Sequence, residues 1–184
     1  MSQLPRHDGR LVTTSRRLIA EGVDRAVIAR EVKEGRWRRA GLAIVMHNGP
    51  LSPMQRRWVA RIHAGPQSVF TAFTAAELCG LTGWERDEVH VLAPAGTRMR
   101  AGCPVPAVLH LHAPGSIRRH PNRGVEALPD ALVRAAATFV RPRPACGLLA
   151  AAVQQRAVRS PDIIAALERA SRTRHQARLA GRDG

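Results

Sequence analysis

With 184 residues, 45% of them hydrophobic and only 3% aromatic, the chain can build one ordinary domain or two small ones on Leu, Val, Ile and Ala. Its net charge of +15 favours a polyanionic partner, although Lys33 is the sole lysine and such an arginine excess is also what a GC-rich genome produces. No apolar run is long enough to span a membrane, the N-terminus lacks the apolar core of a signal peptide, and Cys79, Cys103 and Cys146 show neither a disulfide framework nor metal-ligand spacing, so a cytoplasmic chain with reduced thiols is expected.

The segment from Thr13 to Arg39 predicts two short helices, a tight turn and a basic strand. Thr13, Thr14 or Ser15 can cap the first helix, and Leu18 and Ile19, with Leu11 and Val12 before them, are expected inside. Gly22 suits the left-handed residue that ends a helix, Val23 plugs the turn, and Asp24 caps the second helix. Gly35 closes it. At roughly 100° per residue, Ile28 and Val32 mark its buried side and Ala26, Arg30 and Lys33 its outer side. Arg30 and Lys33 can donate to guanine O6 and N7, and Ala26 or Val27 can touch a thymine methyl. Arg25, nearer the buried side, is assigned to a phosphate. If Arg36–Arg39 is a strand, alternation puts Trp37 and Arg39 on one face and Arg36 and Arg38 on the other. Trp37 then pins a wing to the core while Arg36 and Arg38 face a nucleic-acid backbone. The plain alternative is a helical hairpin with a solvated basic face; capped turn and wing together favour DNA.

His47-Asn48-Gly49-Pro50 is a turn cluster and marks the expected boundary between a winged helix-turn-helix over 1–48 and an α/β domain over 49–184, an α+β chain overall. Ser52, Pro53 and Gln55 predict a capped helix start, with Met54, Trp58 and Ile62 as its buried stripe and Arg56, Arg57 and Arg61 on other faces, where they could extend a DNA footprint. A short strand is expected over Ser68–Phe73, and a second capping box, Thr74–Glu77, opens a helix that Gly80 closes. Glu88–Leu92 and Ala107–His112 predict strands joined by a Pro- and Gly-rich link, the second running out at Ala113-Pro114-Gly115 into a basic loop, SIRRHPNRG. Helices follow at about Pro129–Val140, Ala145–Val158 and Pro161–Arg172, and the tail HQARLAGRDG is expected to fray.

Candidate chemistry is sparse. His90, His110 and His112 lack a Cys or carboxylate at ligand spacing and are taken as surface histidines, so neither a metal nor another cofactor is expected. Glu77 is accounted for by its capping box, and Glu85, Asp87 and Glu88 by a hairpin entry or an arginine-binding patch. No Gly-rich loop lies between strand and helix, and Ser68 and Ser116 lack a nucleophile-elbow context. Restriction-type nucleases commonly set a lysine beside paired carboxylates, and the sole lysine sits on the second helix; a non-enzymatic protein is expected.

The patterns RRLIAEGVDRAVIAREVKEGRWRR, HNGPLSPMQRRWVARIHAGP, FTAAELCGL and EVHVLAPAGTRMR, with the later helices over Ala145–Ser171, resemble the AbiEi-type antitoxins of type IV toxin–antitoxin systems, in their actinobacterial form without a C-terminal endonuclease-like domain. The resemblance implies a winged helix that binds promoter repeats, and an antitoxin domain that counters a nucleotidyltransferase-like toxin without a stable complex. Carried onto this chain, the double-stranded DNA contacts fall on Arg25, Arg30, Lys33, Arg36, Arg38 and Arg39. Two other classes stay open: a shortened relative of an endonuclease-like DNA-processing protein, and a basic module for an acidic protein partner.

Overall fold

In the computed structural model, which describes residues 11–113, 116–120 and 124–180 (backbone alone for 173–180), the Thr14 hydroxyl accepts from the Arg17 N–H at 3.2 Å and starts α1, Ser15–Ala20. Gly22, at φ 91°, reverses the chain. The Asp24 carboxylate accepts from the Ala26 N–H at 2.7 Å and starts α2, Arg25–Lys33. Leu18, Ile28 and Ile44 form a small buried cluster, against which Val23, Val32, Trp37 and Met46 pack. Of the expected inward residues, Leu11 and Ile19 are exposed, and Val12 is buried not on a helix but in strand β1, Val12–Thr14, whose ladder fixes the side chains by alternation.

The strands β2, Arg38–Ala40, and β3, Ala43–Val45, form a hairpin around Gly41 and Leu42, with Ala40 opposite Ala43. Gly41 has φ 61°, as a tight two-residue hairpin turn requires. β1 pairs with the far edge of β3, so the sheet order is β1-β3-β2, antiparallel throughout. Ile44 faces the α1–α2 cluster, while Ala43 and Val45 alternate to the other side and are also fully buried.

The expected start of the next helix is present in full. The Ser52 hydroxyl accepts from the Gln55 N–H, Gln55 Oε1 accepts from the Ser52 N–H, and Pro53 opens α3, Pro53–Ala64. Its buried face is Gln55, Trp58, Val59, Ala60, His63 and Ala64, whereas Met54 and Ile62 are only half-buried. The face is wide because α3 packs against β1, β3 and a strand of the second sheet. That sheet is β4 (Val69–Phe70), β5 (Val89–Pro94) and β6 (Ala107–His112), in the order β4-β5-β6. β4 and β5 are antiparallel, β5 and β6 parallel, and the Pro- and Gly-rich link over 95–106 supplies the crossover that parallel pairing needs.

The helix expected from a Thr74 capping box begins earlier. α4 is Ala72–Leu78, preceded by Thr71, whose hydroxyl donates to the Glu126 carboxylate instead of capping the helix. Thr74 therefore lies inside α4. The remaining helices are α5 (Leu128–Ala136), α6 (Pro142–Gln154) and α7 (Ser160–Ala180); α7 runs past the expected end at Arg172, and 181–184 lie outside the described residues. So do 114–115, where β6 is expected to run out, and 121–123 of the basic loop. The core here is Phe73, Leu81, Leu128, Leu132 and Leu148 with small alanines between.

Among the described residues the architecture is thus mixed α+β, with seven helices and two three-stranded sheets. The chain divides into two compact units, one of 1–70, 87–117 and 121–124, the other of 71–86, 118–120 and 125–184. The division differs from the expected boundary after residue 48, because α3 packs on both sheets and joins the second sheet to the N-terminal elements. No described helix is long and apolar enough to cross a membrane.

Candidate nucleic-acid interface

The exposed cations of the N-terminal elements sit in distinct settings. On α2, Arg30 and Lys33 are exposed on the side opposite Ile28 and Val32, as the periodicity predicts. Arg30 Nε lies 3.8 Å from Glu31 Oε1, a loose surface pair of little energetic weight. Arg25, at the first position of α2, is exposed toward the flank nearer the core.

Arg36 is engaged within the protein. Its guanidinium donates to both Glu31 oxygens, at 2.5 and 2.7 Å, and a further nitrogen pairs with Glu34. The Arg36 hydrogen bonds hold the Glu31 carboxyl below its ordinary value and raise Arg36 in return. The Arg36 and Trp37 N–H groups both donate to the Glu31 carbonyl, so this stretch is a helix exit and the strand begins only at Arg38. Arg38 and Arg39 then alternate. Arg38 is half-buried, with Nε lacking a hydrogen-bond partner, while Arg39 is exposed on the Ile44 face. The strand arginine presented to solvent is therefore Arg39 rather than Arg36 or Arg38.

Arg39 does not stand alone. A cleft of about 400 Å³ is lined by Ser15, Arg16, Ile19, Arg25, Ile28 and Arg39, so three arginines from α1, α2 and β2 converge on one concavity. Arg16 was not singled out by pattern. Its signal is its place in the first turn of α1, where the helix dipole disfavours a cation and an acidic residue is usual.

Two of the basic residues of α3 make contacts within the protein. Arg56 donates to the Asp87 carbonyl at 3.1 Å, and Arg61 lies over the Trp58 ring at 4.9 Å and donates to the Ser68 carbonyl at 3.0 Å. His90 is buried rather than on the surface, because its Nδ1 is hydrogen bonded to His110 Nε2 at 3.0 Å across adjacent strands. No group of three or more His, Cys, Asp or Glu side chains among the described residues is placed to hold a metal ion.

No protein-family model matches this chain, and no curated protein matches it. Among solved structures, the Rv2827c protein from Mycobacterium tuberculosis aligns with a TM-score of 0.45 at 19% identity, over 70% of this chain. The chain spans 56% of the length of that protein.

Proposed function

We propose that the protein is a cytoplasmic, non-enzymatic, DNA-binding regulator of antitoxin type, in which residues 12–45 act as a winged helix-turn-helix. The observation that carries this reading is the capped α1–Gly22–α2 pair packed on a three-stranded sheet, with Arg30 and Lys33 exposed on the outward side of α2. On this reading α2 enters the major groove, Arg30 and Lys33 contact base edges, and Arg25 and Arg39 contact phosphates. Arg36, held by two glutamates, orients the helix exit. The hairpin of β2 and β3, turning at Gly41-Leu42, is the wing. The resemblance to AbiEi-type antitoxins supplies the regulatory role: repression of a promoter and opposition to a nucleotidyltransferase-like toxin. Three free cysteines fit a reducing compartment.

The test is duplex binding. The protein should bind the DNA upstream of its own gene more tightly than random duplex, and Arg30→Ala with Lys33→Ala should abolish the difference while leaving random binding within a few fold. If about five phosphates are neutralised, log K falls with log[salt] at a slope near −4.5. Equal affinity for upstream and random DNA would sink the repressor reading. Growth rescue of cells expressing a nucleotidyltransferase-like toxin tests the antitoxin half separately.

A further inference from the structure

We propose that the cleft between α1, α2 and β2 is a single-phosphate clamp, in which Arg16, Arg25 and Arg39 together hold one backbone phosphate of a duplex while its sugar rests on Ile19 and Ile28. The proposal rests on the DNA-binding reading and deepens it.

Ion pairing accounts for only some of the arginines, and three of those outside the pairs share one cleft. Arg17 is paired with Glu21, Arg36 with Glu31 and Glu34, Arg134 with Glu126, Arg159 with Asp162 and Arg169 with Asp130. Arg16, Arg25 and Arg39 are exposed and have no acidic partner among the described residues, yet three separate elements bring them to one cleft. Three like charges around a shared concavity repel one another, and an anion between them removes that repulsion.

The chemistry of the lining narrows the anion. Guanidinium groups offer forked N–H donors that match phosphate oxygens, and the Ser15 side chain adds a hydroxyl at the rim. The cleft, at about 400 Å³, has room for more than a bare ion, and its isoleucines give it an apolar floor. A phosphate carrying a sugar uses both the cationic rim and that floor.

Position points to a duplex as the source. Arg25 lies only about 80° around α2 from Lys33, so the cleft flanks the outward face that carries Lys33 and Arg30. Arg39 lies on β2, one strand of the hairpin. A phosphate held here anchors α2 beside its groove at one fixed point.

The shared chemistry is a phosphate oxyanion, and a free phosphorylated molecule is the other source. The experiment uses the full chain as wild type, as the single Arg16→Gln, Arg25→Gln and Arg39→Gln variants, and as the triple variant, each checked by circular dichroism. Affinity for a random duplex is measured across a salt series, and melting is followed with inorganic pyrophosphate against chloride of equal ionic strength. Each single variant should weaken duplex binding about tenfold with the salt slope little changed, because two arginines still neutralise the phosphate. The triple variant should lower the slope by about 0.9, the value of one phosphate. A fall of about 2.7 in the triple variant would mean three separate phosphates and overturn the clamp, as would an unchanged slope and affinity. If the wild type binds no duplex, the DNA reading fails. A pyrophosphate-dependent rise in melting, lost in the triple variant, then overturns the duplex source while supporting the anion site; absence of that rise overturns the site as well.

Discussion

His63 shows how one buried residue can fix a distant turn. Its Nδ1–H donates to the Val59 carbonyl at 2.9 Å, which leaves Nε2 to accept from the Leu42 N–H at 3.0 Å. The hairpin tip is thereby tied to α3. A side chain at Gly41 would overlap His63 Nε2 and the Gly102 carbonyl, and φ 61° there is already unfavourable for an L-residue. Gly41→Ala should cost about 2 kcal/mol or more, read from a denaturant midpoint; an unchanged midpoint would mean that the turn and His63 move apart freely. The second residue-scale case is Glu126, which is 2% exposed and accepts both Arg134 nitrogens, at 3.1 and 2.8 Å, and the Thr71 hydroxyl. Glu126→Ala leaves the guanidinium and the hydroxyl without their acceptor. The expected loss is about 3 kcal/mol, the low end of the range for a broken buried pair, because Arg134 keeps 29% exposure and is partly screened. A loss under about 1 kcal/mol would show the pair to be replaceable by water.

At the scale of elements, the helix exit after α2 is held by Arg36 on Glu31 and Glu34. The Glu31 carboxyl is depressed by the Arg36 hydrogen bonds, so the stabilisation it brings is complete above the ordinary value of 4.5 and is lost as pH falls through the lowered value. Glu31→Gln should therefore melt below the wild type at neutral pH, and the gap should close as the pH is taken well below 4.5; a gap constant with pH would remove the ion pair as its cause. The same variant releases Arg36, so it should tighten binding to random duplex. Elements whose signals are local were legible in the sequence: the Asp24 cap, the Gly35 stop, the Ser52–Gln55 box and the β6 strand all lie where pattern put them. The start of α4 was not, because Thr71 takes a partner 55 residues away rather than capping its own helix. The cleft was half legible. Arg25 and Arg39 stand out in the pattern, but Arg16 joins them only because α1 and β2 both pack against α2.

For the whole molecule, connectivity sets the unfolding behaviour. The chain leaves the first compact unit at Phe70–Thr71, returns at Arg86–Asp87 and leaves again at Ile117–Arg118, so neither unit is a continuous stretch that can be cut away. A single cooperative transition is expected. Trp37 and Trp58 lie in one unit and Trp84 in the other, so fluorescence of a Trp84→Phe variant follows the first and that of a Trp37→Phe plus Trp58→Phe variant the second; distinct midpoints would contradict the expectation. The placement of charge was legible at this scale only in part, since the total of +15 mixes arginines bound to glutamates with arginines left uncompensated, and only the fold sorts them. The hairpin, finally, limits how far the protein can reach. Strands of three residues joined by a two-residue turn extend only about 10 Å. On the proposed DNA-binding reading, such a lever would meet the near rim of a groove and stop short of the adjacent minor groove, so base discrimination would come from one helix and from the stiffness of the duplex itself.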